Sequence, residues 1–177
     1  QSSLRTWVER QTNHPVGYME QLYTFADRDR TGEDPDQRII SISYLGLTRE
    51  AGPSSGYAAT WQSWYRYFPW EDVRQSSARR VEKLLVQRLR AWAKQAPDKA
   101  TQAERTQRID VVFGQHRLPW NGELVLQRYE LLYEAGLVPE ALGRGCAEAS
   151  PIPGEPMLHD HRRILATGMA RLRAKIK

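Results

Sequence analysis

The chain has 177 residues, 27% of them charged and 40% hydrophobic, with a net charge of +5. Its length fits one domain, or one domain with a helical extension, and is enough to bury a core. Six Trp and eight Tyr argue against disorder, no apolar run approaches the roughly 18 residues of a membrane span, and the single Cys146 excludes an internal disulfide or a cysteine metal cluster.

With one cysteine and no disulfide framework, the cytosol is the expected compartment. The first element is LRTWVERQTN, Leu4 to Asn13. Leu4, Trp7, Val8 and Gln11 share one face at helical spacing. Asn13 suits the left-handed C-cap, and Pro15 forbids continuation.

Two strands follow. YMEQLYTF, Tyr18 to Phe25, is rich in strand formers but alternates imperfectly. RIISISYLGL, Arg38 to Leu47, places Ile40, Ile42, Tyr44 and Gly46 on one face. The charged loop ADRDRTGEDPDQ joins them as an antiparallel pair. After a second loop, TWQSWYRYF from Thr60 to Phe68 predicts a third, aromatic strand stopped by Pro69.

Beyond Pro69 the pattern is helical. One helix is expected from Ser76 or Ser77 to about Ala96, buried along Val81, Leu84, Leu85, Leu89 and Trp92. A second runs from Pro97 and Asp98 to near Phe113, and a third from Gly122 to Gly136, with Gly136 just past its end. Pro139 to Ala149 predicts a short helix, and SPIPGEP is a stiff linker. His159 to Lys177 predicts the last helix, with Ile164, Leu165, Met169, Leu172 and Ile176 as its stripe. This stretch holds six Arg or Lys against one Asp. Strands segregated from helices give an α+β fold.

Few motifs point to chemistry. His159 and His161 in HDHRR are two apart, a poor chelate on a helix. No nucleophile elbow or phosphate-binding glycine loop is present. The acidic pairs Glu33/Asp34 and Glu71/Asp72 read as solvated turns rather than acid/base pairs. WYRYFPW has the composition to stack a base, but core packing explains most of it.

The stretch from Thr6 to Leu47 resembles the middle of a Nudix domain, in which a metal-binding helix precedes a strand, a charged loop and a second strand. YMEQLYTFADRDR and RIISISYLGL resemble the Nudix-related regulators of bacterial NAD metabolism, and HRRILATGMARLRAKIK resembles the helix that ends that domain. The resemblance covers roughly residues 4–72 and 159–177. It implies a partial Nudix-like mixed sheet over residues 1–75, a helical insertion over 76–158, and the last Nudix-like helix over 159–177.

The family's signature ends Arg-Glu-hydrophobic-x-Glu-Glu-x-Gly, its carboxylates holding Mg²⁺. Here Thr6 takes the Arg position and Trp7 the first Glu. Arg10 and Gln11 take the Glu pair and Asn13 the Gly, so Val8 alone matches. No shift of register restores an acidic trio, because Glu9 is the helix's single carboxylate. The resemblance therefore implies a non-catalytic sensor of ADP-ribose or a related nucleotide, with no cofactor and no metal. It also implies a homodimer, and DNA binding through a winged helix outside these 177 residues. The chain is accordingly expected to be a fragment, without the first Nudix strands.

Asp27, Arg28, Asp29, Arg30 and Tyr44 are the candidate ligand site, since arginine forks suit phosphate. A solvated turn with internal Arg–Asp pairs is the other reading of that loop. Arg162, Arg163, Arg171, Arg173 and Lys175 are candidate phosphate contacts near DNA, or else a solvated helix face. Two further functions stay open: an active Nudix hydrolase, which would need Mg²⁺, and a helical protein-interaction module.

Overall fold

The computed structural model describes residues 2–12, 14–25, 40–49, 61–141, 152–157 and 161–176. The chain divides into two compact units, Gln1–Gln62 and Ser63–Lys177. The described residues form a mixed α+β structure: five α-helices and one two-stranded antiparallel sheet.

The first unit holds α1 (Ser2–Thr12), β1 (Tyr18–Phe25) and β2 (Ser41–Leu47). Arg10 in the last turn of α1 complements the helix dipole. The strands pair from Tyr18 opposite Leu47 to Phe25 opposite Ser41. A register shift between Gln21 and Tyr23 leaves Leu22 out of the ladder. That bulge explains the imperfect alternation of YMEQLYTF, because one extra residue flips the faces that follow it. Gly17 N–H donates to Leu47 O at 2.9 Å and prolongs the ladder. Val16 packs over Gly46, where a Cβ would stand 3.3 Å from its Cγ1. Leu45 is buried, whereas Ile42 and Tyr44 are exposed.

The second unit holds α2 (Ser76–Lys94), α3 (Lys99–Val112), α4 (Val125–Glu134) and α5 (His161–Lys175). The contacts within the chain divide it between residues 62 and 63. The last helix, α5, packs on α4 within this second unit. Phe68, Trp70, Leu85, Leu89, Ile109, Phe113, Val125, Tyr129, Leu132 and Met169 share one buried core. It draws on all four helices and on the segment before them.

The helix ends follow local chemistry. Asp98 caps α3, accepting from Thr101 N–H at 2.8 Å and from Thr101 Oγ1–H at 3.0 Å. Gly136, at φ 67°, ends α4 as its sequence predicts. Its N–H donates to Tyr133 O, and Leu137 N–H donates to Leu132 O, the two bonds of a Schellman cap.

Of the third strand expected over Thr60 to Phe68, the described residues 61–68 form none. Residues Trp64–Arg66 and Pro69–Glu71 each form a 3₁₀ turn. Aromatic residues favour strands only where a neighbouring strand completes the ladder. Here the backbone bonds elsewhere: Arg66 O accepts from Glu155 N–H, and Tyr67 O accepts from the Arg162 guanidinium. The turns aim Phe68 and Trp70 into the core. Of the helix expected over Pro139 to Ala149, the described part is a single turn, Pro139–Ala141. The rest lies outside the described residues.

Candidate functional site

In α1, Trp7, Arg10 and Gln11, which the sequence resemblance sets against metal-binding carboxylates, form one outward face. Trp7 is 57% exposed, and Arg10 and Gln11 are also exposed. Leu4 and Val8 are half-buried. Glu9 is turned to a backbone task, its Oε1 accepting from Val16 N–H at 3.0 Å. That bond ties the end of the helix to the turn into β1. Thr48 Oγ1–H closes the same corner by donating to Pro15 O at 2.6 Å.

Tyr44 lies on the exposed face of β2 with Ile42, opposite Gln21 of β1. Asp27, Arg28, Asp29 and Arg30 lie outside the described residues, as do Glu33, Asp34 and Cys146. Buried His14 stacks at a tilt on Trp61, with ring centroids 5.1 Å apart.

The basic residues of α5 do not form a single open face. Arg162 is 1% exposed; its guanidinium donates to Glu140 Oε1 at 2.7 Å, to Glu155 O at 2.6 Å and to Tyr67 O. Arg163 pairs with both carboxylate oxygens of Glu130, which holds its pKa above the usual value despite burial. Arg173 donates to Glu71 Oε2 at 2.6 Å and to the carbonyls of Gly122 and Glu71. Arg171 and Lys175 are exposed. The expected apolar stripe is rotated accordingly: the buried positions of α5 are Arg162, Ala166, Gly168 and Met169. Three of the five candidate phosphate contacts therefore have internal carboxylate partners.

Glu71 reverses its expectation. The predicted solvated turn is a fully buried carboxylate. Arg128, also 0% exposed, donates to it through Nε at 2.6 Å and through Nη2 at 2.9 Å. Arg128 Nη1 reaches Val112 O and Asn121 O, and the guanidinium lies 4.0 Å from the Trp120 ring centroid. With Arg173 this forms a buried Arg–Glu–Arg network in which the carboxylate is neutralised from both sides. The neighbouring Asp72 is nearly buried, and hydrogen bonds from Arg74 hold its carboxyl below the usual range. Sequence spacing carries no sign of this network, since its members lie 57 and 102 residues apart.

Two further features lie in the second unit. A shallow groove of about 430 Å³ runs between α3 and α4, with Val111, Val112, Leu126 and Leu131 along it and Gln107, Arg108, Gln127 and Glu130 around it. Tyr129 carries a buried hydroxyl that has no hydrogen-bond partner among the described residues, and burial, then the charge of Glu140, raises its pKa well above normal. Among the described residues no cluster of His, Cys, Asp or Glu is arranged to hold a metal ion, and no helix is long and apolar enough to cross a membrane. No protein-family model matches the chain, and no curated protein matches it.

Proposed function

We propose that this chain is a non-catalytic, Nudix-like ligand-sensing domain of a transcriptional regulator of NAD metabolism. In this reading it binds ADP-ribose or a related nucleotide without cleaving it. It acts in the cytoplasm as a homodimer and reaches DNA through a winged helix outside these residues. One observation carries the non-catalytic part. The single carboxylate of α1, Glu9, is bonded to the backbone of Val16, while Trp7, Arg10 and Gln11 occupy the positions where metal-binding carboxylates would stand. An Arg at such a position repels a divalent cation, and a Gln offers it one neutral oxygen.

The resemblance and the residue types place the nucleotide against Arg28, Arg30 and Tyr44, with guanidinium forks on the diphosphate. Calorimetry with ADP-ribose tests this. Micromolar binding is expected, weakened at least tenfold by R28A/R30A, with no turnover of ADP-ribose or NADH in Mg²⁺ or Mn²⁺. Turnover that disappears on removal of a carboxylate would establish the hydrolase instead. Absence of any nucleotide binding would end the sensor reading. A second reading, a helical interaction module, draws support from the separate buried core of residues 63–177. It predicts a stable protein partner and no nucleotide affinity.

A further inference from the structure

We propose that the open face of α2 is a phosphate-backbone contact for duplex DNA. The helix buries Ala78, Leu85, Leu89 and Ala93 on one side. Residues of an α-helix turn by about 100° each, so Arg80, Lys83, Gln87 and Lys94 fall on the opposite side, with Arg79 at the edge of that side. All five are exposed. The four cations span about 22 Å at 1.5 Å per residue.

No carboxylate sits on that stripe. Glu82, the helix's single acidic residue, is half-buried at its flank and accepts from Gln115 Nε2 at 3.2 Å. Arg79 stands beside it. Among the described residues Arg80, Lys83 and Lys94 have no carboxylate partner.

The placement works against the helix itself. Arg79 and Arg80 lie near its N-terminus, where the dipole disfavours cations, and the first turn holds no acid. Arg79 and Lys83 are like charges one turn apart, a further small cost. A ligand that supplies negative charge along the stripe reverses both terms.

Duplex DNA fits better than the other polyanions. A membrane surface rewards apolar side chains that can insert, and the apolar side of α2 is already buried in the core. The stripe offers guanidinium forks and ammonium groups over a length that meets several phosphates of a duplex. Such contacts fix register without reading sequence. The choice of DNA rests on the regulator reading above; the geometry of the stripe does not.

The test is fluorescence anisotropy of the 177-residue chain with a labelled 30-base-pair duplex of arbitrary sequence, titrated at several salt concentrations. Binding is expected to weaken steeply with salt. R79E/R80E/K83E should lower affinity at least tenfold and reduce the log–log salt slope by about three, each lost phosphate contact contributing roughly 0.9. R5E/R10E/R49E makes the same change in net charge within the first unit and should leave most of the affinity. Circular dichroism of both variants checks folding, and R79Q/R80Q/K83Q serves if the reversed variant unfolds.

An equal loss in both triple variants would reduce the effect to net charge and overturn the proposal. So would undiminished binding by the α2 variant, absence of duplex binding, or capture by phosphatidylserine vesicles in preference to the duplex. The assay contains no nucleotide ligand. Duplex binding without ADP-ribose affinity would remove the sensor reading and leave the α2 contact standing, and the converse would do the opposite.

Discussion

Glu71 and Arg128 meet where neither has any contact with solvent, joined by hydrogen bonds of 2.6 and 2.9 Å. Removing one partner of a buried pair leaves the other charged and desolvated, which costs about 3–5 kcal/mol. E71L strips the acceptor from two arginines at once and is expected to be the most damaging single change in the second unit. Urea unfolding followed by tryptophan fluorescence measures it. A loss under about 1 kcal/mol would show that the network contributes little.

Arg162 offers a narrower test of geometry against charge. Its three donor nitrogens serve Glu140 and two backbone carbonyls in different directions. Lysine keeps the charge but not the planar fork. R162K is therefore expected to lower stability by on the order of 2 kcal/mol, through two unmet buried acceptors. Stability equal to wild type in the same urea assay would mean that charge alone suffices there.

Gly114 adopts φ 57°, and a Cβ there would stand 2.9 Å from Trp120 N and 3.0 Å from Trp120 Cα. Both the backbone conformation and the lack of space exclude a side chain. G114A should cost more than about 1 kcal/mol. Thermal unfolding reads the change; an unaltered midpoint would mean that the turn relaxes without penalty.

The pH dependence has two parts of opposite sign. Asp72, bonded by Arg74, and Asp98, bonded by Thr101, have carboxyls held below their ordinary value of 3.8. Their contribution is fully present above that value and is lost as pH falls through the lower folded values. Glu82 is raised by burial above its ordinary 4.5. Its protonated form favours the fold below 4.5, and that contribution is lost as pH rises through the raised value. Wild type should therefore lose stability in acid below about pH 4 through the aspartates. It should also lose some above about 4.5 through Glu82. E82Q keeps the acceptor for Gln115 and should abolish only the second loss. Urea midpoints at intervals from pH 3 to 8 separate the two, and an identical pH profile for E82Q would refute the assignment.

Local rules carried much of the fold. Periodicity placed α2 and β2, strand-forming residues placed β1, and Pro97 and Asp98 placed the start of α3; single residues marked ends, with Asp98 capping α3 and Gly136 closing α4. What could not be read was non-local. WYRYFP has strand composition, but among the described residues no strand pairs with it, and its carbonyls accept from Arg162 and Glu155 instead. The arginines of α5 looked like surface charge because the carboxylates that pair with them are distant in sequence; Glu71, Glu130 and Glu140 come from 102, 33 and 22 residues away. Of the candidate ligand site, only Tyr44 lies among the described residues, on an exposed strand face where the alternation of RIISISYLGL put it.

The network around Glu71 also sets an order of events on the ribosome. Arg173 is synthesised 102 residues after the carboxylate it neutralises. At roughly 5–20 residues per second, Glu71 waits about 5–20 s for that partner. For the first 57 residues of that interval Arg128 is not yet made, and for the rest Arg128 alone can balance the acid. The second unit is thus built to consolidate late, when its final helix arrives.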